Sequence, residues 1–132
     1  MNLELSGKLE VTYPPLTREA YSELSRKWSL LILKLIFLGH NRFNEFLKDY
    51  ENEGLSNKML ANELRRLEQF GYISKEIVSK TPLRIEYHLT EMGRGTNKII
   101  YERLKFGMKF GLYDPNKTPF KDINLEKVFG IE

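Results

Sequence analysis

Apolar residues along the chain change their spacing several times, and each change marks an element. Leu3, Leu5, Leu9, Val11 and Tyr13 alternate with polar positions around Ser6-Gly7-Lys8, a pattern that fits a short hairpin or an extended arm closed by Pro14-Pro15. From Arg18 onward Tyr21, Leu24, Trp28, Leu31, Ile32 and Leu35 recur at steps of three and four until Gly39, which predicts one helix or two. Thr17 is placed to cap that segment, and Glu19 lies in its first turn.

After the turn at His40-Asn41, Phe43, Phe46, Leu47 and Tyr50 predict a shorter amphipathic helix with Asn41 or Asn44 as its cap, broken by Glu51 to Gly54. Ser56 then caps a third helix reaching about Phe70, in which Met59, Leu60, Leu64 and Leu67 form the inward stripe and Gly71 ends the run. Tyr72-Ile73 to Val78 and Ile85 to Leu89 are rich in β-branched and aromatic residues, and Ile85, Tyr87 and Leu89 alternate. Two strands are expected there, with Ser79 to Arg84 as the loop between them. Thr90 and Glu91 open a long last helix whose apolar side is Ile99, Ile100, Leu104 and Met108, weakened at its start by Gly93 and Gly95. Beyond Gly111 a turn at Asp114-Pro115-Asn116-Lys117 precedes a short helix over Asp122 to Phe129, which offers Leu125 and Phe129 for docking.

Helix, helix, helix, strand, loop, strand, helix is the order of a winged helix-turn-helix, an α+β class that is mainly helical. The organisation expected is an arm or hairpin over residues 1–16, one winged domain with further helices over 17–112, and a tail over 113–132. At 132 residues one core suffices, and 41% hydrophobic with 30% charged residues is the balance of a chain that folds unaided. The most apolar run, Leu30 to Leu38, contains Lys34 and is about half the length a bilayer requires, so no membrane partner is expected. The amino terminus has no cationic segment followed by an apolar stretch, which suits a cytoplasmic protein.

Charge adds information through placement. The net charge is only +3, too small to announce nucleic acid by itself. Ser56 to Phe70 nevertheless holds three basic and two acidic residues, against two basic and four acidic over Asn41 to Gly54, so the latter is expected to face away from DNA. With the leucines of the third helix turned inward, Asn57, Lys58, Asn62, Arg65, Arg66 and Gln69 are left for its outer and flanking surfaces. Arginine presents a fork of donors to guanine O6 and N7, and asparagine can exchange two hydrogen bonds with adenine. Ser56 and Lys58, near the helix start, suit phosphate, as do Lys80 and Arg84 in the wing and Arg42 before the second helix. The alternative is that these charges are an ordinary solvated face.

Other chemistry is poorly supported. The chain has no cysteine, which removes disulfides, thiolate nucleophiles and cysteine metal sites. His40 and His88 have no metal-ligand spacing and are expected to be ordinary surface residues. Asp49, Glu51 and Glu53 lack an accompanying base or nucleophile, and Gly107 and Gly111 suit either close helix approach or a frayed end. Trp28 is expected as a core anchor. No enzyme activity and no cofactor are implied.

Taken in order, Lys27-Trp28, Leu31-Ile32-Leu33, Arg42-Phe43-Asn44-Glu45, Gly54-Leu55-Ser56, Leu64-Arg65-Arg66-Leu67-Glu68, Gly71-Tyr72-Ile73 and Pro82 to Gly93 resemble the HxlR-type winged-helix regulators, within the MarR-like group, from about Arg18 to Phe110. The resemblance implies a homodimeric transcription regulator whose first and last helices pair across a two-fold axis, while Ser56 to Arg66 and the wing meet double-stranded DNA. Such proteins often carry a cysteine ahead of the first helix, sometimes as a sensor of oxidants or electrophiles, and this chain has none. Ser25-Arg26 stands in place of a usual glycine pair, and Thr96-Asn97 where leucines are common. The expected function is sequence-specific repression, with a module for non-specific DNA or protein binding as the alternative. A small-molecule effector, of a chemistry the sequence does not name, remains open.

Overall fold

The computed structural model describes residues 24–112 and 122–131; the arm expected over 1–16, the Thr17 cap and the helix start at Arg18 lie outside the described residues. Its elements follow the expected order. They are α1 (Ser29–Phe37), α2 (Phe43–Tyr50), a 3-10 turn (Glu51–Glu53), α3 (Asn57–Gln69), β1 (Ile73–Lys80), β2 (Leu83–Leu89), α4 (Glu91–Arg94), α5 (Asn97–Lys109) and α6 (Leu125–Val128).

The core is built where one side of each helix meets its neighbours. Ile32, Leu33 and Leu35 of α1, Phe46 of α2, and Leu60, Leu64 and Leu67 of α3 are all buried together with Tyr72, Ile73, Tyr87, Ile100 and Leu104. Trp28 is buried as expected, but it precedes α1 instead of lying inside a continuous helix, and its ring meets Tyr50 with centroids 5.7 Å apart. Lys34 is drawn into this packing. Burial lowers its pKa, against the opposing pull of Glu53 and Asp49, and its Nζ donates to the Tyr50 hydroxyl at 2.6 Å.

Several boundaries differ from the sequence expectation for local reasons. Neither Asn41 nor Asn44 caps α2: Arg42 takes the cap position without a side-chain bond, Asn44 lies inside the helix, and the Asn41 carbonyl accepts the Tyr87 N–H at 2.9 Å. Met59 is 40% exposed, since the inward line of α3 runs through Leu60, Glu63, Leu64 and Leu67. The strands extend to Lys80 and Leu83, leaving only Thr81-Pro82 as the connection, with Ile77 opposite Ile85 and an irregularity between Ile77 and Ser79. Lys80 and Arg84 therefore lie on strand ends near the wing tip and not in a six-residue loop.

The last helix is two helices. Thr90 does cap α4, accepting from the Gly93 N–H at 3.1 Å, but the helix stops after Arg94 and restarts at Asn97. Gly93 is the reason for the close fit at this joint: a Cβ there would lie 2.0 Å from the Tyr72 carbonyl oxygen, which accepts the Thr90 N–H. Thr96 is buried and donates its hydroxyl to the Gly93 carbonyl, so a polar residue fills a place where a leucine is common. Ile99, expected on the apolar side, is instead 47% exposed. The tail segment docks on its own chain. Phe129 is 1% exposed with its ring 5.0 Å from that of Phe37, Leu125 is buried, and the Asn97 side-chain amide donates to the Phe129 carbonyl at 2.7 Å.

Two stability outcomes follow from these contacts. Gly93→Ala forces the Tyr72 backbone away from the joint and is expected to cost about 3 kcal/mol in urea unfolding, at the upper end of overpacking effects. Phe129→Ala empties a fully packed site between α1 and α5 and is expected to cost about 3–5 kcal/mol. An unchanged denaturation midpoint for Phe129→Ala would mean that the tail is not part of the folding unit.

Candidate nucleic-acid interface

The third helix begins where a serine can satisfy a free amide. Ser56 has an extended backbone, and its Oγ accepts from the Met59 N–H at 3.1 Å, so this candidate hydroxyl is engaged at the helix start. Gly54, at φ 101°, and the buried Leu55 aim the chain into that start. With Leu60, Leu64 and Leu67 committed to the core, Asn57, Lys58, Asn62, Arg65 and Gln69 are all exposed. Arg65 Nη1 donates to Asn62 Oδ1 at 3.2 Å, so two of the proposed base readers are held side by side.

Arg66 differs from its neighbour. It is half-buried on the flank of α3, with Nε 3.8 Å from Glu63 Oε1. Glu63 itself is 5% exposed, receives Arg26 Nε at 2.9 Å and accepts from the Ser29 hydroxyl at 3.3 Å. The sequence reading missed this carboxylate. Its signal was positional: residue 63 falls on the arc shared by 60, 64 and 67, where a charge demands partners.

The remaining candidates gather between α2 and the wing. Arg42 and Arg84 line one groove with Asn41, Phe43, Asn44, Leu83 and Ile85. Arg42 Nη2 donates to Glu86 Oε2 at 3.3 Å, so it is engaged with the wing root as well as exposed to solvent. Lys80 is exposed opposite Leu83. Further down, Glu76 faces Glu86 across the ladder, and His88 Nε2 lies 3.0 Å from Glu76 and 3.5 Å from Glu86. His88 thus separates two facing carboxylates instead of being a simple surface residue, and His40 Nδ1 is likewise 2.6 Å from Asp49. Among the described residues no group of acidic and histidine side chains is arranged to hold a metal ion, and no helix is long and apolar enough to cross a membrane.

The family model for the HxlR-like helix-turn-helix matches residues 23–114. The chain is 37% identical over 84 residues to the uncharacterised helix-turn-helix transcriptional regulator YdeP of Bacillus subtilis (strain 168), a match covering 64% of each protein and so just under two thirds of YdeP. It is 32% identical over 96 residues to YvaP of the same organism, covering 73% of this chain and 87% of that one. Among solved structures, the reduced form of the B. subtilis regulator YodB superimposes with a TM-score of 0.59 at 28% identity, over 75% of this chain and 95% of YodB. A regulator from Porphyromonas gingivalis W83 described as of the MarR family gives 0.63 at 35% identity, over 77% and 97%. The chain therefore belongs to the HxlR-like helix-turn-helix family, and with its α+β winged fold it is a transcriptional regulator of that family.

Proposed function

We propose that the protein is a sequence-specific, homodimeric cytoplasmic repressor that reads an inverted repeat in double-stranded DNA with α3 and steadies itself through the wing. The observation that carries this reading is the divided surface of α3: a leucine stripe locked in the core, and Asn57, Lys58, Asn62 and Arg65 exposed on the other side with Asn62 and Arg65 already hydrogen-bonded. Arg65 and Asn62 are the base readers. Ser56, Lys58, Arg42, Lys80 and Arg84 serve phosphate, the groove shared by Arg42 and Arg84 fitting a backbone that passes between α2 and the wing. Arg66 orients α3 through Glu63 as well as flanking the duplex.

Dimerisation is supported by α5. Ile99, Phe106 and Phe110, 47–60% exposed, follow one another at helical spacing on its outer side, and the Phe106 and Phe110 rings are 4.9 Å apart. A soluble chain that leaves such a row uncovered marks a contact surface, and a second copy presents the same row in return. Two α3 helices then face successive major grooves about 34 Å apart. A dimer seated on such a site excludes other proteins from it, which makes repression the sign of regulation.

Selection of bound fragments from the source genome at physiological salt is expected to return one enriched inverted repeat with half-sites about 10 base pairs apart. A folded, dimeric protein that returns no motif would instead be a non-specific or protein-binding module. Arg65→Ala should relax preference at one base position per half-site, at a cost of about 1–3 kcal/mol. Lys80→Ala should weaken all sequences alike and lower the salt slope by about one. An unaltered preference profile for Arg65→Ala removes it from the reading surface.

A further inference from the structure

The tail segment over residues 122–131 follows the stretch matched by the family model and is docked between the end of α1 and the start of α5. Phe129, 1% exposed, places its ring 5.0 Å from that of Phe37, the last residue of α1. On the α5 side, the Asn97 side-chain amide donates to the Phe129 carbonyl at 2.7 Å, and the Tyr101 hydroxyl donates to Glu126 Oε1 at 2.9 Å. We propose that this segment is a strap that fixes the angle of α5 against α1 and so sets the half-site spacing a dimer accepts. The strap's effect on spacing rests on the dimeric reading proposed above; its grip on α5 does not.

Three observations carry it. The first is how lightly α5 is otherwise held. Among the described residues its buried positions are Ile100, Leu104 and Gly107, a single line at steps of four and three. Apolar contacts along one line resist separation but are non-directional, and they do little against rocking about that line. The second is the joint ahead of α5. The helix that ends at Arg94 restarts at Asn97, across Gly95 and Thr96, so no unbroken helical ladder carries the direction of α4 into α5. The third is where the strap takes hold. Asn97 and Tyr101 stand one turn apart on one side of α5, whereas Ile99, Phe106 and Phe110 lie about half a turn around it at roughly 3.6 residues per turn. The strap thus grips α5 from behind the row assigned to the second copy.

The lever is long enough to matter. A helix of 13 residues measures about 20 Å, so a tilt of about 10° displaces one end by about 3 Å, close to the rise of one base pair. In a two-fold dimer the displacement occurs in both copies. Base identity within each half-site is read by α3 itself and does not change with that tilt. Asn97, Tyr101 and Phe129 are therefore positioning residues.

The chain has no cysteine, so Glu68→Cys, at an exposed position on α3, gives one spin-label site per copy. Label-to-label distances in the dimer should form one narrow distribution. Adding Asn97→Ala with Tyr101→Phe should broaden it by about 3 Å or more, the displacement of the tilt above. On operators with half-sites about 9, 10 or 11 base pairs apart, the unaltered chain should prefer one spacing by about tenfold, the cost of one poor contact, and the double variant by at most about threefold. Preference at each base within a half-site should stay the same. Phe129→Ala should act in the same direction and Phe129→Leu, which keeps an apolar body in the seat, should retain the original spacing; the double variant leaves the Phe129 ring in place and serves if Phe129→Ala does not fold. Folded variants with the original distances and spacing preference overturn the strap. Equal weakening at every spacing also overturns it, since that marks a purely structural tail. A dimer that returns no motif removes the reading of DNA and leaves the label distances to decide the strap, whereas a monomer overturns both.

Discussion

A buried carboxylate must be answered or neutralised, and Glu63 imposes that constraint on α3 and the segment ahead of α1. At 6% side-chain exposure beside Arg26, Ser29 and Arg66, its charge ties the segment ahead of α1 to the inner flank of α3. Leucine packing at positions 60, 64 and 67 fixes which side of α3 faces inward, but apolar contacts are non-directional and tolerate small rotations. Charge-assisted hydrogen bonds do not tolerate them as readily. The outward bearing of Asn62 and Arg65, one residue on either side of the Glu63-Leu64 pair, is therefore set by an ionic contact as much as by the core.

A second constraint joins the wing to the helices that follow it. The Tyr72 carbonyl accepts from Thr90 while Gly93 packs directly against it, and the Thr90 hydroxyl donates to the Gly71 carbonyl. The turn leaving α3, the end of β2 and the start of α4 are thereby fastened at one point. Any side chain at residue 93 would separate them, so the direction of the wing relative to α3 depends on a missing methyl group. The tail continues the same logic at the far end, with Phe129 against Phe37 and Asn97 bridging α5 to the tail backbone, which links α1 to α5.

Much of this was legible in the sequence because the strongest signals are periodic and local. Ser56, the leucines of α3 and Gly71 reported a helix whose cap, stripe and end all agree with the structure. The alternation of Ile85, Tyr87 and Leu89 reported β2 in the same way. What escaped detection was decided by contacts distant in the chain. Asn41 is tied through its carbonyl to Tyr87 of β2 and stays outside α2, whose cap position falls to Arg42. Met59 and Ile99 are apolar residues beside a stripe, and only the placement of Glu63 and of the tail decides which arc faces inward. The interruption between α4 and α5 was foreshadowed by Gly93 and Gly95, yet its cause, a carbonyl from the turn after α3, cannot be read from local spacing.

The distribution of charge along the wing bears on how the proposed interface would discriminate between sites. A chain of net charge +3 gains little from long-range attraction to a polyanion. On the proposed reading a duplex passes Lys58, Arg65, Lys80 and Arg84, while the wing root holds Glu76 and Glu86 with the His88 ring near both and Arg42 alongside. Two carboxylates facing each other across a ladder are unfavourable by themselves, and the Arg42 guanidinium, 3.3 Å from Glu86, offsets part of that repulsion. If DNA lies as proposed, a backbone displaced toward the wing root meets negative charge, whereas one in register meets the tip and the Arg42-Arg84 groove. Weak non-specific attraction combined with local repulsion favours discrimination between sites over raw affinity, because specificity depends on the difference between right and wrong registers.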